Sequence, residues 1–323
     1  MKGSQLKNII IKQPYIFALF LLIFMIAINF SFQPNLFELR VLNSNLRVFF
    51  PLMLLAAGQT IVMIGGGIDI SVGAIVSMVN AWLVTQMFPD STPTQMAMVI
   101  MAGIGIGLLA GIFNGAVIAY LRLQPIVTTY ATMFLFGGLA LLILPQPGGS
   151  IPTALSRFYR SGTFLGIPVV IYLVALLLLS WFYLKNRRYS RFLFATGGNA
   201  EAAYATGVPV NRIRFFSYVV SGLMAALSGI VLTFLTSSGD PGIGSDMTLD
   251  SITAVVVGGT PLTGGQGSIA GSVIGVAILV IIRNIISFAD VSSWWRMLVN
   301  AVIIVIALAS PGLYSLARRK RRS

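Results

Sequence analysis

Apolar segments of roughly twenty residues recur from one end of this sequence to the other, broken only by short polar or glycine-rich stretches. Twenty helical residues rise about 30 Å, which is the thickness of a bilayer's hydrocarbon core. A chain built this way has no length left for a water-soluble domain, so its function must lie in or beside a membrane. Hydrophobic residues fill 57% of the 323 positions and charged residues 9%. With a mean hydropathy of +0.91, the chain belongs to the polytopic membrane class.

Dividing the chain at charges, prolines and turn residues predicts spans near 14–30, 48–64, 68–87, 96–120, 124–144, 167–184, 215–235, 250–264, 267–287 and 296–312. The expected fold is an all-α membrane bundle of about ten transmembrane helices, one domain over residues 1–323. The run from Pro14 to Phe30 is read as a retained first helix, because Asn29, Phe30, Ser31 and Phe32 make a poor small-residue cleavage site.

An even number of crossings leaves both termini on one side. If that side is cytoplasmic, the inner segments hold Lys2, Lys7, Lys12, Arg122, the Lys185 to Arg191 cluster, Arg212, Arg214 and the Arg318 to Arg322 tail. The outer segments hold Glu38, Asp90, Asp240, Asp246, Asp250 and Asp290 against Arg40, Arg47, Arg157, Arg160, Arg283 and Arg296, which cancel. The whole net charge of +13 therefore falls on the inner face, as the positive-inside rule requires. A basic chain of this kind needs no nucleic acid to explain it. Arg283 falls inside a span and has to snorkel outward or face the bundle interior. Trp294 and Trp295 suit an aromatic belt at the outer interface.

The sequence has no cysteine and no histidine, which removes thiolate and imidazole chemistry and with it the commonest nucleophiles, bases and metal ligands. An intramembrane enzyme would need ionisable residues clustered at one depth, and the scattered aspartates do not supply that. No cofactor is expected. Gly103, Gly107, Gly111 and Gly115, followed by Ala119, form a smooth groove along the fourth span. Gly267, Gly271 and Gly275 repeat it in the ninth, and Gly222 with Ala226 does so in the seventh. Such stripes let helices approach closely and name no function.

Three segments carry more. Gly65-Gly66-Gly67-Ile68-Asp69-Ile70-Ser71-Val72-Gly73 and Gly258-Gly259-Thr260-Pro261-Leu262-Thr263-Gly264-Gly265-Gln266-Gly267 interrupt apolar runs on the inner side. Irregular backbone at membrane depth is tolerated only where it is buried in protein or lines water, and transporters place their pathways at broken helices. Gly66, Gly67, Asp69, Ser71, Gly73, Asp250, Gly258, Gly259, Gly264 and Gly265 are thus candidates for a path or gate. A carboxylate at mid-membrane costs about 2.5–3.5 kcal/mol on insertion scales, so Asp69 must be solvated, paired or capping; a cap on the third span and a place on the path both stay open.

The third segment lies within the stretch 187–214. Asn199 can N-cap a short helix, Glu201 suits its first turn and Gly207 suits its C′ stop. Ala200, Ala202, Ala203 and Ala205 give that helix a smooth face, shaped to dock in a partner's groove.

Together these residues resemble the ribose, xylose and galactoside permease family of bacterial ABC importers over nearly the whole chain. Gly66 to Gly73 is similar to that family's GGIDLSVG, with Ile70 for Leu. Ala195 to Val210 is similar to its A-x-G-G-N-x-x-A-A-x-x-S-G-I-x-V, with Thr206 and Val208 for Ser and Ile. Asp250 to Gly267 is similar to its DAIAAVVLGGTSLxGGxG, with Pro261 where Ser is common. After Gln124 to Thr129 the family continues to an Arg-Gly pair, whereas here Phe136 precedes Gly137-Gly138.

The resemblance implies a translocation path between two permease protomers, as homodimer or heterodimer, in the bacterial inner membrane. A cytoplasmic ABC ATPase and a periplasmic sugar-binding protein would complete the machine. The chain has no G-x-x-x-x-G-K-[ST] loop, so hydrolysis is expected on the ATPase. Gly197, Gly198, Asn199, Ala202, Ala203, Gly207 and Val208 then resemble the family's ATPase-coupling segment. The outer loops near Arg157, Arg160, Asp240 and Asp246 are expected to dock the binding protein. The resemblance implies a monosaccharide as cargo, and the scarcity of ionisable groups in the core, where an ion-coupled carrier keeps them, separately favours a neutral polyol. The alternative is another polar nutrient such as branched-chain amino acids.

Overall fold

The computed structural model describes residues 15–288 and the single positions 295, 298, 301 and 302, with side chains from residue 18 onward. The expected span 296–312, Lys2, Lys7, Lys12, Asp290, Trp294, Arg296 and the Arg318 to Arg322 tail lie outside the described residues. Among the described residues twelve helices follow one another: α1 (Tyr15–Phe32), α2 (Leu39–Ile64), α3 (Val72–Gln86), α4 (Pro93–Ala119), α5 (Pro125–Ile143), α6 (Thr153–Ser161), α7 (Val169–Leu184), α8 (Arg188–Gly198), α9 (Ala200–Ala205), α10 (Val210–Thr236), α11 (Met247–Val257) and α12 (Ile269–Phe288). A minimal antiparallel hairpin, β1 (Thr163–Phe164) with β2 (Ile167–Pro168), links α6 to α7.

Local chemistry sets several boundaries. Thr92 and Gln95 form a reciprocal capping box at the start of α4, with Pro93 in the first turn, where its missing N–H costs nothing. Pro125 opens α5 in the same way. Among the described residues, five helices are long and apolar enough to cross a membrane: α2, α4, α5, α10 and α12. A sixth candidate is α7 with α8, which bend 79° across their break.

Two expected spans come out shorter than read from the sequence. The run 68–87 yields α3, of 15 residues, and 250–264 yields α11, of only 11. Eleven residues rise about 16 Å, half a bilayer. The cause is glycine-rich backbone: α3 cannot begin until after Gly65 to Gly67, and α11 stops at Gly258 and Gly259. On the other side of α11, the irregular stretch 237–246 runs back along α3.

The centre of the bundle is α2, whose apolar window is 89% buried, against 22% for α4 and 28% for α5. Large apolar side chains such as Met101, Leu109, Phe134 and Leu142 stand exposed on the peripheral helices, as hydrocarbon-facing surfaces do. The expected groove of α4 does meet that of α10: a Cβ on Gly107, Gly111 or Gly115 would overlap the backbone of Gly222, Tyr218 or Phe215. Gly103 stands apart, in ordinary contact with Val79 and Trp82 of α3.

Candidate functional site

The first glycine-rich break leaves α2 at Ile64 and re-enters helix at Val72. Asp69, between them, is fully buried. Its Oδ1 accepts from the Ser71 N–H at 3.0 Å and the Ser71 Oγ at 2.7 Å, and its Oδ2 accepts from Ser221 Oγ of α10 at 2.8 Å. Asn114 of α4 donates its Nδ2 to Ser71 Oγ at 2.8 Å. With its amide oriented to suit its neighbours, Gln59 of α2 donates to the Asp69 carbonyl at 3.1 Å and accepts from its N–H at 3.3 Å. The carboxylate thus ties α10 to the start of α3, and the Asp69 backbone and Ser71 hydroxyl extend the node to α2 and α4. Ser71 occupies the N-cap position of α3 without a side-chain cap bond; the turn into α3 is held instead by Asp69, whose side chain takes the N–H two residues on.

The second break returns to the first. Past α11, Gly258 lies against the backbone of Gly271 and Ser272 in α12, and Gly259 has φ +93°. Further on, Gly264 lies against Gly66, and the Gly265 N–H donates to the Ile64 carbonyl at 2.9 Å. The end of α8 enters the same place. A Cβ on Gly197 would coincide with the Ile64 carbonyl oxygen and crowd the Gly265 nitrogen, so no other residue fits. Three motifs far apart in the sequence meet in one junction made of bare backbone.

Next to that junction stands α9. The Asn199 side chain accepts from the Ala202 N–H at 2.9 Å, capping the helix as its sequence predicts, and Glu201 lies in the first turn. At the other end Gly207, with φ +85°, donates to Tyr204 at 2.9 Å, while Val208 donates to Ala203 at 3.0 Å. This pair of bonds is the Schellman motif, and only glycine takes its C′ position without strain. The expected smooth alanine face is divided. Ala203 and Val208 are buried and anchor the helix, whereas Glu201, Ala202, Tyr204 and Ala205 face outward. Ala203 is therefore a packing residue and no part of an exposed docking surface. Gly198 has open space where a Cβ would be.

The remaining candidates lie elsewhere. Gly73, at the start of α3, rests on the Gly244 carbonyl and on Thr248, whose Oγ1 accepts the Gly73 N–H at 3.1 Å. Asp250 is buried and ion-paired with Arg283 of α12, so Arg283 faces the interior. Sequence reading missed Ser77, Asn80 and Thr248. Asn80 donates to the Ser238 carbonyl at 3.2 Å and accepts from the Asp240 N–H at 2.9 Å, and Ser77 accepts from the Gly244 N–H at 2.9 Å. These bonds satisfy the irregular backbone 237–246 along α3. Two polar residues three apart on one face of an apolar helix were the available signal.

A cavity of about 700 Å³ opens beside the junction. Gly66 and Gly67 form part of its wall with Arg122 and Gln124 after α4, Tyr204 of α9, and Tyr218 of α10.

Residues 41–308 match the family described as branched-chain amino acid transport system, permease component. The ribose import permease protein RbsC of Haemophilus influenzae is 34% identical over 294 residues, covering 89% of this chain and 90% of that protein. Its counterpart in Bacillus subtilis is 37% identical over 295 residues, covering 90% and 89%. The galactose/methyl galactoside import permease protein MglC of Haemophilus influenzae is 29% identical over 321 residues, covering 94% and 95%. No solved structure matches the chain. The matched region takes in the Asp69 node, the glycine junction and α9 alike, and the chain belongs to this family of transport permease components.

Proposed function

We propose that this chain is the path-forming subunit of an ATP-driven importer that carries ribose or a related monosaccharide across the bacterial inner membrane. The observation that carries this reading is the identity of 34–37% with ribose import permeases over about nine-tenths of the chain. It favours a sugar over a branched-chain amino acid, although the family takes its description from the latter.

In this reading the chain is a single domain of about ten crossings with both termini in the cytoplasm. The half-bilayer length of α11 and the backbone 237–246 together account for one crossing. A cytoplasmic ATPase supplies the energy, a periplasmic binding protein selects and delivers the sugar, and a second permease protomer completes the path. The coupling surface comprises Glu201, Ala202, Tyr204 and Ala205, held in place by Gly197, Gly198, Asn199, Ala203, Gly207 and Val208. Because Gly197 fits against Ile64 and Gly265, a push on α9 reaches the ends of both broken helices without passing through flexible side chains. Gly66, Gly67, Gly264 and Gly265 are the backbone that moves. Asp69 and Ser71 hold α3 in register as it does so, and Gly73, Asp250, Gly258 and Gly259 keep α11 and α12 against it. The loops bearing Arg157, Arg160, Asp240 and Asp246 receive the binding protein.

The test is uptake of labelled ribose into proteoliposomes holding the permease, its ATPase and its binding protein. Accumulation that requires ATP and both partners is expected. Ribose movement driven by an ion gradient without ATPase or binding protein overturns the reading.

A further inference from the structure

The cavity beside the junction is lined by charged and polar residues whose place on the inner face explains their sign but not their gathering around one hollow. Its volume of about 700 Å³ falls within the range of small-molecule sites. Three separate segments contribute polar residues to its wall: Arg122 and Gln124 from the turn after α4, Glu201 and Tyr204 from α9, and Asn211 and Arg214 from the start of α10. Neither arginine has a carboxylate within ion-pair distance among the described residues, even though Glu201 stands on the same wall. Arg122 moreover has φ +57°, a left-handed conformation that residues with a Cβ avoid.

Two guanidinium groups against one carboxylate leave the lining net positive. Planar guanidinium groups suit phosphate oxygens, while the amides of Gln124 and Asn211 suit hydroxyl groups and Tyr204 offers a ring face. We propose that this cavity binds a phosphorylated polyol of sugar size, and that the bound molecule restrains α9 through its Glu201 and Tyr204 wall. The second clause rests on the coupling role proposed for α9; the first does not. The same phosphate chemistry could come from a soluble sugar phosphate or from the headgroup of phosphatidylglycerol.

Isothermal titration of the permease–ATPase complex in zwitterionic nanodiscs tests the site, with glucose 6-phosphate as probe and glucose for comparison. Saturable binding of glucose 6-phosphate is expected, weakened at least tenfold by Arg122→Gln or Arg214→Gln and partly restored by lysine at either position. Arg188→Gln, outside the cavity, should bind as the unaltered chain does. Glucose binding as tightly as its phosphate, or glutamine variants that bind normally, overturns the proposal. Nanodiscs containing phosphatidylglycerol separate the sources. Competition between lipid and probe supports the site, as does lipid retention that is lost in both glutamine variants. Retention of neither probe nor lipid overturns it. A saturating probe should also slow ATP hydrolysis stimulated by the binding protein at least twofold. An unchanged rate removes the restraint on α9, and uptake of ribose by the same complex reports separately on the permease reading.

Discussion

Tyr159 of α6 donates its phenolic O–H to the carbonyl of Arg47 in α2 at 2.6 Å. That carbonyl needs an outside donor, because Pro51 stands four residues on within α2 and has no N–H to offer it. Arg47 returns the contact, its Nη1 donating to the Arg160 carbonyl at 2.9 Å, so α6 and the first half of α2 clasp one another.

Replacing Tyr159 by Phe leaves the part-buried Arg47 carbonyl unpaired, at a cost of about 1 kcal/mol, the low end for an orphaned acceptor. A lowered unfolding midpoint in detergent is the expected result, and an unchanged midpoint discards the clasp. Burial pushes the phenol well above the usual tyrosine value of 10.0, with Arg47 opposing. A group raised on folding contributes fully below its unfolded pKa and loses that contribution as pH climbs toward the folded one. The gap between parent and variant should therefore stay constant from about pH 7 to 9 and narrow above about pH 10.

Asp69 accepts from three donors: the Ser71 N–H, the Ser71 hydroxyl and the Ser221 hydroxyl. Asp69→Ala orphans all three, and at about 1–3 kcal/mol for each buried unpaired group the variant should give little folded protein. Asp69→Asn keeps one acceptor oxygen for Ser71 and offers an N–H toward Ser221, whose hydroxyl can turn to accept it. The asparagine variant should elute on size exclusion as the parent does. If the alanine variant matches it, the node is not what holds α3.

The features legible in the sequence are those that a few neighbouring residues decide. Asn199 and Gly207 announced both ends of α9 because caps are local dihedral and hydrogen-bond requirements, and Gly107, Gly111 and Gly115 announced a close helix contact along α4, though not that α10 is the partner. The meeting of Gly66, Gly197 and Gly264 was not legible, since no local pattern specifies which distant backbone fills a gap. Likewise Ala202 and Ala203 look identical in sequence, and only the packing of α9 sends one outward and the other into the core. The expected span 250–264 overruns α11 because it is drawn through the glycine-rich break, whereas the helix stops at Val257, where that break begins.

That difference between two alanines gives a test of the coupling surface. Ala202→Arg adds bulk and charge to an exposed position, so the permease should fold with an unchanged unfolding midpoint yet lose its ATPase on affinity purification, with transport down at least tenfold. Ala203→Arg forces a charge into the core and should lose folding and ATPase together. An Ala202→Arg complex that stays assembled and active shows that α9 does not form the contact.

Arg283 and Asp250 join α12 to α11 within the bundle, with side-chain exposures of 32% and 12%. Removing one partner of a buried pair costs about 3–5 kcal/mol because the other charge remains without compensation; partial exposure of Arg283 puts Asp250→Asn at the lower end. Replacing both by apolar residues removes the stranded charge, so Asp250→Leu with Arg283→Met should recover much of what either single change loses. Unfolding midpoints of the four chains complete a double-mutant cycle. Strong coupling with a stable double variant makes the pair a structural tie, dispensable when replaced as a unit. If the double variant is stable but ribose uptake remains abolished, the charges themselves serve transport, and Asp250 belongs to the path as well as to the packing.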